Sequence, residues 1–308
     1  MHIKTLIEIV AVLVVLMLVG YIGAKRGIFT PQVTKAMSWI VFNIFLVSSV
    51  FDSICDDVPA LSGAELFRML WVLSLCIVLC YIIAILALRP ILKRSPAAAI
   101  AEICVSAMNT LLFGLPIVQQ VYGSMAVLYM GLSSVPFNII LYSYGALRLD
   151  AAREGRKGGM NLKRIFTPIF IATILGLVFL LAKLPIPGLI KKYLDITAAA
   201  TLPMSMIVLG ATMGAGNLAE AFTDKRVYLI AFVRLVLCPA LVFLALSPLA
   251  LDPILLRTAV VIAGCPCGVV VPVLALQYDQ DALFASRSVM ASTLLSVITL
   301  PIIIILLG

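Results

Sequence analysis

Two apolar runs in this chain are each long enough to cross a bilayer, and each is interrupted in the middle. The first interruption reads Asn109-Thr-Leu-Leu-Phe-Gly-Leu-Pro116 and the second Cys265-Pro-Cys-Gly-Val-Val-Val-Pro272. A proline inside a helix removes one backbone N–H and clashes with the preceding turn, at a cost of about 3 kcal/mol. In hydrocarbon the freed carbonyls cannot turn to water, so such a break is tolerated only inside protein or beside a polar cavity. Paired broken helices in two half-chains point to a transporter binding site.

The chain around these breaks is 308 residues long, 63% hydrophobic and only 12% charged, with mean hydropathy +1.20. A soluble domain is about 45–50% apolar and about 25% charged, so these values predict an all-α protein of the membrane. The net charge of +8 is no nucleic-acid signal, because the basic residues fall between apolar runs, where they orient spans. The single histidine, His2, excludes His-based metal sites, Ser/His triads and His proton relays from the membrane core. No catalytic motif, cofactor motif or metal site is expected. Of the seven cysteines only Cys55 is placed in a loop; the others read as small buried thiols.

The pattern predicts ten spans, at 5–24, 34–52, 66–88, 97–120, 123–147, 165–183, 194–214, 226–247, 254–278 and 282–306, at about 20 residues per crossing. The fourth, seventh and ninth contain Gly and Pro and are expected to be the least regular. Adding 156 to Pro116, Tyr122 and Ala126 lands on Pro272, Tyr278 and Ala282, and the same shift takes Gly20 to Gly176 and Lys35 to Lys191. One offset near half the length predicts an internal duplication: a first five-helix repeat over 1–148, a basic cytoplasmic linker over 149–164 and a second repeat over 165–308. Fourteen Lys and Arg fall in the loops after odd-numbered spans against six on the other side. The positive-inside rule then places the odd loops in the cytoplasm and both termini outside. Five being odd, the two repeats must have inverted topology, with broken spans 4 and 9 crossing near the midplane.

A half-helix N-terminus carries about half a positive charge and unpaired N–H groups, and unwound carbonyls carry the opposite polarity. Two opposed breaks can therefore bind a small organic anion with little side-chain charge. The candidate contacts are Asn109 and Thr110, with Gly114, Pro116, Pro266, Gly268 and Pro272 holding the backbone open and Cys265 taking the place of Asn109 in a less polar twin site. Asn43, Asn138 and Ser205 are further candidate liners, against the alternative of ordinary helix-to-helix hydrogen bonding. Glu102 is the candidate for protonation or gating, against that of an acid at the interface. Arg234, about two turns into span 8, pairs with an acid or with helix carbonyls, or attracts the anion. Cys265-Pro-Cys267 also has the pattern of a soft-metal site, without the P-loop or ATP-using domain that accompanies it in metal pumps.

At these residues the chain resembles the auxin efflux carrier family, which includes bacterial malate permease-like transporters. Asn109-Thr-x-x-x-Gly114-x-Pro116 with Tyr122-Gly123 is similar to the family's fourth helix, and Leu202-Pro-Met-Ser-Met-Ile-Val-Leu-Gly210 to its seventh. Arg234-Leu-Val-Leu-Cys-Pro239 is similar to the eighth, and the stretch from Ala275 to Pro301 to the ninth and tenth. The resemblance implies ten helices in two inverted repeats, crossing helices 4 and 9, a homodimer and elevator-type alternating access. It implies a secondary transporter, uniport or H⁺-linked, moving malate or other carboxylates across the cytoplasmic membrane. A sodium-coupled organic-anion symporter of the bile-acid-carrier type, or a Cys-based metal-binding protein, are the alternatives. The chain departs from the family pattern at Val47, where Pro is frequent, and at Thr167-Pro168, where Asn-Pro is frequent.

Overall fold

The computed structural model describes residues 3–56, 61–92, 96–151 and 166–308. Most of the basic linker expected at 149–164, including Arg153, Arg156, Lys157, Lys163 and Arg164, lies outside the described residues. So do Lys93 and Arg94.

The regular elements among the described residues are helices. They are α1 (Ile3–Lys25), α2 (Pro31–Cys55), α3 (Gly63–Leu92), α4 (Pro96–Ser106), α5 (Thr110–Tyr122), α6 (Ser124–Asp150), α7 (Pro168–Ala182), α8 (Gly188–Gly214), α9 (Lys225–Leu249), α10 (Pro253–Gly264), α11 (Val270–Gln277) and α12 (Ala282–Leu306). A four-residue turn of helix, Leu218–Ala221, precedes α9. Among the described residues, α2, α3, α6, α8, α9 and α12 are long and apolar enough to cross a membrane. The two interrupted runs divide at 107–109, into α4 with α5, and at 265–269, into α10 with α11. Pro266 and Gly268 lie in the second break, but Gly114, Pro116 and Pro272, expected to hold the backbone open, are helical: each falls within the first turns of the next half-helix, where a proline's missing N–H is tolerated.

Shifting helix bounds by 156 brings the halves into correspondence. Gly63–Leu92 maps onto 219–248, beside Lys225–Leu249, and Pro96–Ser106 onto 252–262, beside Pro253–Gly264. Ser124–Asp150 maps onto 280–306, beside Ala282–Leu306.

The seventh span, expected to be irregular, is divided at Ala200 into Gly188–Ala199 and Thr201–Gly214, and Pro203 lies in the first turn of the second piece, where a missing N–H is readily tolerated. One further expectation needs correction. Cys55 is not in a loop but lies in the last turn of α2, with its thiol facing the Gly176 carbonyl at 3.8 Å.

Helix starts follow from one recurrent pairing, an oxygen-bearing cap followed by proline. Thr30 accepts from the Val33 N–H ahead of Pro31, and Thr167 from the Phe170 N–H ahead of Pro168. Asp252 accepts from Ile254 and Leu255 ahead of Pro253. The cap satisfies otherwise unpaired N–H groups, and proline at the first position is already set to helical φ. Thr167 therefore does the capping work of the family's asparagine.

The chain forms two compact units, each drawing on both halves of the sequence. One comprises 1–71, 111–134 and 166–216, and the other 72–110, 135–165 and 217–308. In the first unit α1 and α8 cross backbone to backbone: a Cβ on Gly210 would lie 1.9 Å from the Met17 carbonyl oxygen, and one on Gly20 2.0 Å from that of Ile207. Lipid is as apolar as a leucine side chain, so close van der Waals approach at small residues is what holds such helices together. Thr201 adds a hydrogen bond to the Phe45 carbonyl (2.9 Å), and Lys191 an ion pair with Asp52 (2.7 Å).

Gly210→Ala should destabilise the protein by about 3 kcal/mol, the upper end of overpacking costs, because the obstruction is backbone. Gly188→Ala, whose added Cβ meets nothing within 4 Å, should change stability by less than about 0.5 kcal/mol. Thermal unfolding of both variants in detergent checks the contrast; equal behaviour would mean that α1 and α8 do not pack this closely.

Candidate functional site

The second unit brings the two interruptions together. Ala107-Met108-Asn109 runs antiparallel to Pro266-Cys267-Gly268, with a single bridge between Met108 and Cys267. The Asn109 N–H donates to the Pro266 carbonyl at 2.8 Å, and the Gly268 N–H to the Ala107 carbonyl at 2.7 Å. Each break thus satisfies backbone groups that the other exposes, which is how unwound chain is accommodated away from water. Gly268 is favoured by proximity: a Cβ there would stand 3.2 Å from the Ala107 oxygen, a tight contact that the facing backbone would have to yield to. The Cys267 N–H donates to Ser292 Oγ on α12 at 3.1 Å.

Arg234 locks the crossing from the side. It lies on a widened, π-helical turn, Val233–Leu237, of α9. Pro239 cannot donate to the carbonyl four residues before it, and the Cys238 N–H reaches back to Val233 instead. The side chain is 0% exposed. Its Nε donates to the Cys265 carbonyl (2.7 Å), Nη1 to that of Val105 (2.8 Å) and Nη2 to that of Ile262 (2.8 Å). Those carbonyls lie at the C-terminal ends of α4 and α10: the Asn109 N–H that would continue α4 to Val105 goes to Pro266 instead, and the Ile262 carbonyl also accepts the Cys265 N–H at 3.3 Å. Each charge-assisted bond contributes about 1.5–3 kcal/mol, so three of them offset the several kcal/mol that burying a cation costs. Of the sequence alternatives for Arg234, the structure realises pairing with helix carbonyls.

Asn109 is 5% exposed, and its Nδ2 has no hydrogen-bond partner among the described residues. Its backbone N–H is already committed to Pro266. Thr110, 4% exposed, opens the next half-helix. The α11 half-helix begins just past Gly268 and carries Pro272. Asn138 is buried in this unit on α6.

The other expected site residues belong to the first unit. Gly114 and Pro116 lie along α5. Ser205 is fully buried with a partnerless hydroxyl. Asn43 donates to the Trp39 carbonyl of its own helix at 2.8 Å. With Val47, Phe51, Leu175 and Tyr193 it lines an open groove of about 380 Å³ within that unit.

Glu102, 2% exposed, is gripped by two arginines. Arg89 Nε and Arg148 Nη2 bond Oε1 (3.0 and 3.1 Å), and Arg148 Nε bonds Oε2 (2.8 Å). Arg89 also donates to the Tyr144 hydroxyl at 3.0 Å. Three helices, α3, α4 and α6, are tied through this one carboxylate. Neither this clamp nor the Ser292 bond was visible in the sequence, since their partners lie 13, 46 and 25 residues apart with no local motif.

Six of the seven cysteines, all but Cys55, belong to the second unit. Cys80 touches Cys76 and Cys238, and Cys104 touches Cys267. Cys76 also faces the Ala259 carbonyl at 3.3 Å. Among the described residues no group of three or more His, Cys, Asp or Glu side chains is placed to hold a metal ion.

Apolar helices, two of them interrupted and joined at their breaks, define a multi-pass membrane transporter. The chain belongs to the auxin efflux carrier family: the family described as membrane transport protein matches residues 5–161 and 157–304. An uncharacterized transporter of Methanothermobacter thermautotrophicus is 27% identical over 299 residues, 96% of each chain. The uncharacterized transporter YfdV of Escherichia coli is 23% identical over 94% of each. A Rhizobium meliloti protein named "Putative malonate transporter" is 33% identical over 144 residues, 46% of this chain and 44% of its own.

Ser292→Ala strands the buried Cys267 N–H and should cost about 1–3 kcal/mol. Ser296→Ala removes only a hydroxyl bonded to the Thr293 carbonyl of its own helix and should cost less than about 1 kcal/mol. Melting curves of the pair test this, and equal shifts would remove Ser292 from the support of the break. Glu102→Gln should cost on the order of 2–3 kcal/mol, less than a fully buried pair because Arg89 is 45% exposed. A double-mutant cycle with Arg148→Gln should show coupling of at least about 1 kcal/mol; additive losses would mean that the clamp does not act as a unit.

Proposed function

We propose that this protein is a secondary transporter of small dicarboxylates, of the size of malonate or malate, with the anion bound at the joined breaks. The observation that carries the reading is the buried, partnerless Nδ2 of Asn109. An unpaired amide N–H₂ in a dry site costs about 1–3 kcal/mol, and a ligand carboxylate would remove that cost. The α11 N-terminus, whose dipole end carries about half a positive charge, supplies the same polarity. Thr110, Cys265, Pro266, Gly268 and Pro272 shape this site, with Asn138 as a further liner. Gly114, Pro116, Asn43 and Ser205 belong to the wider pathway. The Rhizobium meliloti relative named for malonate supports the substrate class.

In this reading the chain crosses the cytoplasmic membrane ten times, as two inverted five-helix repeats with both termini outside. The 156-residue correspondence of helix bounds and the bias of basic loops support it. Transport proceeds by alternating access of the elevator type, in a homodimer, as uniport or linked to H⁺. The Arg89–Glu102–Arg148 clamp serves gating. Sodium coupling is disfavoured by chemistry: the crossing offers carbonyls already bonded to Arg234 and no carboxylate, whereas Glu102 is engaged by two arginines.

Uptake of labelled malonate into proteoliposomes tests the reading, with Na⁺ gradient, proton gradient and membrane potential set separately. Saturable uptake is expected without Na⁺. Asn109→Ala should lower it at least tenfold while the protein stays monodisperse. Undiminished uptake by Asn109→Ala would move the site away from this break, and a strict Na⁺ requirement would favour the symporter.

A further inference from the structure

We propose that the Val105, Ile262 and Cys265 carbonyls form a binding site for a planar guanidinium-class cation, which the chain fills with its own Arg234. The transport consequence drawn below rests on the preceding reading; the binding claim does not.

The charge count points to it. A helix C-terminus carries about half a negative charge, and two such ends, of α4 and α10, converge on Arg234. Together they balance one cation. Among the described residues no carboxylate lies within ion-pair distance of Arg234, so the ends of the broken helices act as its counter-charge. In other carriers, unwound carbonyls and half-helix C-termini are the groups that coordinate a co-transported cation. Here a side chain from a third helix occupies them.

The geometry selects the class of cation. Three oxygens bonded to three different nitrogens of one guanidinium stand about 4 Å from its central carbon. A bare inorganic cation such as Ca²⁺ draws oxygens to about 2.3–2.6 Å, so these carbonyls would have to move inward by roughly 1 Å or more to hold one. The Cys80, Cys238, Cys265 and Cys267 thiols are also near enough to interact electrostatically with the guanidinium. These soft, weakly polar groups tolerate a delocalised, weakly hydrated ion better than a compact one. Truncating Arg234 should leave a guanidinium-shaped vacancy with a net negative potential.

The experiment is the melting of purified full-length Arg234→Ala in detergent, titrated with methylguanidinium and, at equal ionic strength, with methylammonium or Na⁺. A ligand that binds only the folded state raises Tm saturably. We expect a saturable rise of several degrees with methylguanidinium, little with the other two, and none in the wild-type protein. No methylguanidinium-specific rise, or an equal rise in the wild type, would overturn the proposal. If Arg234→Ala aggregates on extraction, recovery of monodisperse protein only when methylguanidinium is present throughout supports it, and aggregation in both conditions overturns it. In proteoliposomes, malonate uptake by Arg234→Ala should fall at least tenfold and recover severalfold with methylguanidinium. A wild-type protein that carries no malonate would defeat the substrate assignment while leaving the melting result to decide the cation site.

Discussion

The organising constraint is that backbone polar groups within a bilayer must find partners inside the protein. Two broken apolar helices violate that constraint locally, and the second unit is arranged around the repair. The repair has three parts: the antiparallel pairing of 107–109 with 266–268, the Ser292 hydroxyl under the Cys267 N–H, and Arg234 across three carbonyls. Losing any one leaves a buried group unpaired, so the parts are mutually dependent.

The same repair sets the electrostatics. Arg234 takes up the negative ends of α4 and α10. The Asn109 Nδ2 beside them has no hydrogen-bond partner among the described residues.

What was legible in the sequence was what local chemistry dictates. Pro266 and Gly268 mark the second break directly, while Gly114 and Pro116 flagged the first only approximately, since the chain unwinds at 107–109 and is helical again by Thr110. The threonine at 167 was read as a departure from the family pattern, but its oxygen caps α7 as an asparagine would. Arg234 was legible as a buried cation but not as a brace, because its partners are backbone carbonyls 28, 31 and 129 residues away. Glu102 was expected at the interface or as a proton carrier; its two arginines come from helices on either side of it in sequence. Compactness was hidden as well: each unit draws on both halves of the chain, and helical periodicity carries no information about that.

The two breaks are not equivalent, and the difference is chemical. Positions 109 and 265 correspond at the 156-residue offset, yet one is asparagine and the other cysteine. At 265 the backbone carbonyl is committed to Arg234, and the side chain is fully buried. An amide there would bring two donors and an acceptor into a space already supplied with one guanidinium, leaving buried polar groups unpaired. A thiol is small, needs no partner and fills the space. At 109 the backbone N–H is committed, but the side-chain Nδ2 has no partner among the described residues. One break has its carbonyl committed to holding the crossing together, whereas the other keeps an amide that the crossing itself does not use.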